Sequence, residues 1–90
     1  MAEPQAALYE HTEHQLQNLV YDMALATDNF MEKAYLLNRE QISYAARLSS
    51  EALEYYLEAK NARDEGELVL ALSLVEIAQE RVALLIILPT

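Results

Sequence analysis

The stretch 67–88, ELVLALSLVEIAQERVALLIIL, constrains this chain more than any other, because it carries more apolar surface than one face of a helix can hold. At 100° per residue Leu68, Ala71, Leu74, Val75, Ala78, Val82, Leu85 and Ile86 fall in one broad arc, the pattern of a helix turned towards a core. Ser73, Glu76, Gln79 and Glu80 mark the opposite side, but Leu84, Ile87 and Leu88 interrupt that stripe and no charge follows Arg81. The last two turns are therefore apolar all round. Such a run is sandwiched in an oligomer, laid into a partner's groove or pressed on a membrane. Pro89, which lacks a backbone N–H, is expected to stop the helix.

A helix of this kind needs neighbours, and the rest of the chain is suited to supply them. It has 90 residues, 53% of them hydrophobic, with one glycine and two prolines. That composition predicts a single all-α domain covering 1–90. A domain this small buries only roughly 60–65% of its unfolded surface, so self-association would help it. The net charge of −9, with six scattered basic residues, argues against nucleic acid or an anionic membrane surface as partner. Cysteine is absent, which excludes thiolate metal sites and thiol catalysis and leans towards the cytoplasm. The opening MAEPQAALYE lacks the basic and apolar regions of a signal peptide, and the uncharged run 82–88 falls far short of the roughly 20 residues of a membrane span. A soluble, cytoplasmic protein is expected.

Pro4 suits a first helical turn, and Leu8, Thr12, Leu16, Leu19, Met23, Ala26, Phe30, Ala34 and Leu37 follow at spacings of three and four. This predicts one long helix near 5–37. Tyr21, Leu25 and Leu36 lie among its polar residues, more apolar surface than an exposed face requires. Asn29 and Glu32 have the spacing of a capping box, so a kink at 27–29 is an open alternative. Asn38 and Gln41 have the same spacing and predict a turn followed by a second helix near 39–65. Its expected apolar arc is Ile42, Ala45, Ala46, Ser49, Ala52, Leu53, Tyr56, Leu57 and Ala59, with Tyr44 and Tyr55 at the margins. Glu40, Arg47, Glu51, Glu54, Glu58 and Glu65 take the other side. The small residues of that arc favour close approach of a neighbouring helix. Gly66 is read as a left-handed C-cap, placing the second helix and a third, near 67–88, in a tight antiparallel hairpin.

Within 52–78, Tyr55, Tyr56, Ala59, Lys60, Gly66, Glu67, Val69, Ala71, Leu72 and Ala78 resemble the pattern of a small archaeal family of helical proteins of unknown function. The resemblance covers about a third of the chain and implies a helical hairpin. Where that family continues with tryptophan, leucine, aspartate, alanine and glycine, this chain has Gln79, Glu80, Arg81, Val82 and Ala83. The spacing of Ala52, Ala59, Gly66, Ala71 and Ala78 is also similar to tetratricopeptide-type hairpins. It is similar too to three-helix domains that bind short helical tails in membrane-remodelling machinery. In all of these, small residues sit where helices cross and glycine sits where the chain reverses.

Glu10, His11, Glu13 and His14 form the one cluster with metal-ligand residue types, and Glu10 or His11 can share a helix face with His14. The spacing is not the Glu-x-x-His of di-iron bundles, and further ligands would have to come from Glu54 or Glu58. The carboxylate pairs Glu54/Glu58 and Glu76/Glu80 fall on faces read as exposed, with no cleft to separate their pKa values. Six tyrosines without a basic surround read as packing at helix margins.

The expectation is a three-helix up-down-up bundle, non-enzymatic and without a cofactor. It would act as an interaction or scaffolding module that self-associates or docks a helical protein partner. Tyr21, Leu25, Leu36, Leu84, Ile87 and Leu88 are the expected interface. The alternative is a metal-binding ferritin-like half-bundle that builds its site across a dimer from Glu10, His11 and His14.

Overall fold

The computed structural model describes residues 4–88. α1 (Pro4–Lys33) is followed by a short 3-10 turn (Ala34–Leu36), then α2 (Arg39–Asp64) and α3 (Leu68–Ile86), with no strand among the described residues. This is the up-down-up bundle expected. α1 ends four residues early because Lys33 opens the 3-10 turn, after which Leu37 and Asn38 are extended. α1 is helical straight through 27–29. Asn29 caps no new helix there; its Nδ2 donates to the Ile86 carbonyl at 3.1 Å, satisfying one of the acceptors that every helix leaves free at its C-terminus. The expected stop at Pro89 lies outside the described residues.

Both sequence-read turns have their expected chemistry. The Gln41 amide donates to Asn38 Oδ1 at 2.8 Å and the Asn38 amide to Gln41 Oε1 at 2.9 Å, a reciprocal capping box. At the far end Gly66 has φ +80, the Glu67 amide donates to the Ala62 carbonyl at 2.8 Å and the Gly66 amide to that of Arg63 at 3.0 Å. This is a Schellman closure, which requires a left-handed residue where glycine stands.

The helices share the core unequally. α3 packs along both other helices, most closely along α2, whereas α1 and α2 meet each other only sparsely. The core draws Leu16, Leu19 and Ala26 from α1, Ala45, Leu48, Ala52 and Ala59 from α2, and Val75, Ala78, Val82, Leu85 and Leu88 from α3. Thr12 is fully buried, and its hydroxyl donates to the Leu8 carbonyl at 2.8 Å. In α2, alanine recurs every seventh residue at 45, 52 and 59. Counted outward from the turn, Ala59 comes level with Ala71 and Ala52 with Ala78, and all four are buried. Side chains this small let the two backbones approach closely. Arg81 of α3 adds an ion pair to Glu51 of α2 at 2.9 Å, with its guanidinium 5.7 Å from the Tyr55 ring.

That close approach corrects the expected face of α2. Ala45, Ala52 and Ala59 of the predicted arc are buried, but they are joined by Leu48 and Ala62, so the buried side is centred roughly a quarter turn from that arc at 100° per residue. Ile42, Ala46, Ser49, Leu53 and Leu57 are exposed instead. The backbone of α3 selects the alanine stripe, and the larger residues are left on the flank towards α1. On α3 the expected arc is buried or half-buried throughout. Leu88 is a second correction: expected on the outward interface, it is 9% exposed and belongs to the core.

Candidate functional site

Because α1 and α2 lean on α3 rather than on each other, a line of recesses follows the seam between them, floored at one end by Val82 and Leu85 of α3. At one end Thr27, Phe30 and Met31 of α1 face Ile42, Ala45, Ala46 and Ser49 of α2 over Leu85. Next come Met23 and Ala26 opposite Ala52 and Leu53, over Val82 and Leu85. Beyond them Leu16, Gln17 and Val20 face Tyr56 and Lys60, and the line closes at Glu13 and Arg63. From Glu13 to Met31 it spans about 27 Å at 1.5 Å per residue, or five helical turns. Its walls hold Val20 (45% exposed), Met31 (69%), Ile42 (42%) and Leu53 (47%).

The closed end is polar and tied. Arg63 Nη1 meets Glu13 Oε2 at 2.8 Å and its Nη2 meets Asp64 Oδ1 at 2.9 Å. Desolvation acts to lower the Arg63 pKa, but the hydrogen bond that Arg63 donates to Asp64 and the charges of Glu13 and Asp64 outweigh it and raise the guanidinium above its ordinary value. Arg63 is therefore a fixed cation. Apart from this pair the only charged residue lining the groove recesses is Lys60, whose ammonium lies 5.7 Å from the Tyr56 ring. Glu40, Glu51, Glu54, Glu58 and Glu65 lie on the other side of α2, as the helical wheel places them.

Comparisons with family models, with curated proteins and with solved structures found no match. The helical-hairpin resemblance over 52–78 thus stands on its residues alone.

The sequence-read interface is spread over two elements and the turn. Tyr21, Leu25, Leu36, Leu84 and Ile87 are all exposed. Leu25 shares a shallow recess with Ile86, rimmed by Asp28, Asn29 and Glu32. Leu84 and Ile87 lie on the outer side of the last turns of α3. The metal candidates are not gathered. Glu10, His11 and His14 are exposed, Glu13 is held by Arg63, and Glu54 and Glu58 point away from the α1 flank of their helix. Among the described residues no group of three or more histidine, cysteine or acidic side chains lies within reach of one ion. Glu76 and Glu80 are exposed as well. No described helix is long and apolar enough to cross a membrane. Of the tyrosines, Tyr44, Tyr55 and Tyr56 pack against the core margin, and Tyr44 also lies under the Arg47 guanidinium at 5.2 Å.

The groove was present in the sequence as the stripe Ile42, Ser49, Leu53 and Tyr56. Its apolar character was legible, but nothing in it distinguished a wall facing a gap from a wall facing a helix. The Arg63–Glu13 tie joins residues 50 apart in the chain and left no local signal.

Proposed function

We propose that this protein is a non-enzymatic helical interaction module that self-associates or docks a helical protein partner, and that it works in the cytoplasm. The observation that supports the reading is the line of recesses between α1 and α2, apolar from Met23 to Met31 and polar at the Glu13–Arg63 end. Monomers ordinarily scatter their exposed hydrophobic residues singly, whereas apolar recesses aligned along a seam mark a binding surface. Helix-in-groove recognition is the mode such a seam serves, with anchors at spacings of three and four residues entering between the two walls. The exposed end of α3, with Leu84 and Ile87, is a second and smaller apolar surface. Most carboxylates among the described residues are exposed or ion-paired, which suits a binding role better than acid–base chemistry.

A photo-crosslinking amino acid placed in the full chain at Leu53, at Ile87 and at Glu54, then activated in cells, tests the reading. Position 53 or 87 is expected to give a discrete protein adduct, to this chain or to another protein, and position 54 none. Adducts at neither 53 nor 87 would overturn it.

A further inference from the structure

We infer that the recess between α1 and the end of α3 docks a basic helix of another protein. The cations of that helix meet Asp22, Asp28, Glu32 and Glu76, and an apolar anchor between them enters against Leu25 and Ile86. The inference rests on the interaction-module reading and gives the module a partner of defined charge.

The bond from Asn29 Nδ2 to the Ile86 carbonyl sets the register of the seam. α1 and α3 run parallel in the up-down-up order, so two turns back Asp22 comes level with Gln79. Counted from that bond at spacings of three and four, positions 22, 25, 29 and 32 of α1 and 76, 79, 83 and 86 of α3 form the two edges. All eight are exposed or half-buried. Leu25 is 49% exposed, so its apolar surface is open to an anchor.

The edges carry acid and no base. Asp28 and Glu32 rim the recess, with Leu25, Asn29 and Ile86 as its other lining. None of Asp22, Asp28, Glu32 and Glu76 forms an ion pair among the described residues. Lys33 is the only lysine or arginine of α1 and does not line the recess. Arg81, the only one of α3, is turned to Glu51 of α2. The recess also lies at the carbonyl end of α3, where the helix dipole adds roughly half a negative charge. Two copies of this chain would set carboxylate against carboxylate here, whereas a basic helix meets the complementary charge.

The spacing defines the partner. From Asp22 to Glu32 is ten residues, about 15 Å along the helix. Arginine or lysine near both ends of a stretch of that length reaches both pairs of acids, and the apolar stems of such side chains can lie along Leu25 and Tyr21.

The test titrates a stapled helical peptide of about four turns into the purified full chain, followed by fluorescence anisotropy. The peptide carries a stripe of leucines with arginines at both ends, and a second peptide has glutamate for each arginine. The arginine peptide is expected to bind in the roughly micromolar range, and the glutamate peptide is not. Asp28→Asn with Glu32→Gln is expected to weaken binding at least tenfold. Glu54→Gln with Glu58→Gln, the same change in net charge on the outer side of α2, is expected to weaken it less than twofold, and Leu25→Ser at least fivefold. No binding at roughly millimolar peptide overturns the inference. So does an equal loss from the two double changes, which would make the attraction the diffuse charge of the chain, or an unaltered affinity in Leu25→Ser. A photo-crosslinker at Leu25 whose adduct in cells joins two copies of this chain overturns it as well. Failure of the peptide with adducts at position 53 sinks the basic partner and leaves the module standing; failure with adducts at neither 53 nor 87 sinks both.

Discussion

Replacing Ala59 with leucine probes the feature on which the α2/α3 hairpin depends. Ala59 is completely buried, level with the equally buried Ala71, and the two backbones are close there because neither side chain extends beyond Cβ. Three added carbons have no void to enter. Overpacking of this kind typically costs about 1–3 kcal/mol. At about 4–8 °C per kcal/mol for a domain of this size, the melting temperature should fall by about 4–24 °C. Against a total stability of about 5–14 kcal/mol, from 0.05–0.15 kcal/mol per residue, that is a large fraction. The assay is thermal unfolding by circular dichroism at one fixed protein concentration, so that mass action from any self-association is held constant. Ala7→Leu, on an exposed turn of α1, is the control and should change stability by less than about 0.5 kcal/mol. Ala52→Leu, one heptad earlier and level with Ala78, should repeat the loss. If Ala59→Leu melts within experimental error of the parent or above it, the two helices are not held at alanine distance and the reasoning is wrong.

Gly66→Val should lower the melting temperature through backbone strain of roughly 1 kcal/mol or more, since φ is +80 while a Cβ there meets nothing within 4 Å. Gly66→Asn, which tolerates that region, should lose less. Asn29→Ala should cost about 0.5–1.5 kcal/mol in chemical denaturation and speed amide exchange in the last turn of α3, because the Ile86 carbonyl loses its donor; unchanged exchange would show that the bond does not hold the helix end. The double change His11→Ala and His14→Ala should leave stability and mass unaltered. Near-stoichiometric metal in the purified protein that disappears in this double mutant would instead support the dimeric metal site.

Much of the fold was readable because its signals are local. Asn38 and Gln41 lie three residues apart, Gly66 is the only glycine, and the arc from Leu8 to Leu37 repeats without interruption. The exposed face of α2 was not readable in the same way. Periodicity reports that Ile42, Ser49 and Leu53 share a side, but which apolar side meets a neighbour depends on how near that neighbour comes. Here the alanines at 45, 52 and 59 decided it. Asn29 misled for a related reason: its spacing to Glu32 fits a cap, yet the group it satisfies belongs to α3, 57 residues further on. A wheel at 100° per residue places Leu88 outward, but the regular helix ends at Ile86 and that period no longer holds beyond it.

The unequal sharing of the core also sets an order of assembly. α1 and α2 make few contacts with each other, so a nascent chain carrying only these two has alanine and leucine faces with nothing to lie against until the third helix has emerged. The shortest loop closure joins α2 to α3 across the Gly66 turn, and local closures are the least costly in chain entropy. The hairpin should therefore form first and α1 dock onto it afterwards, although α1 is synthesised earliest. A ribosome stalled or terminated before residue 68 would release a chain with no core to form, and quality control rather than slow refolding would decide its fate.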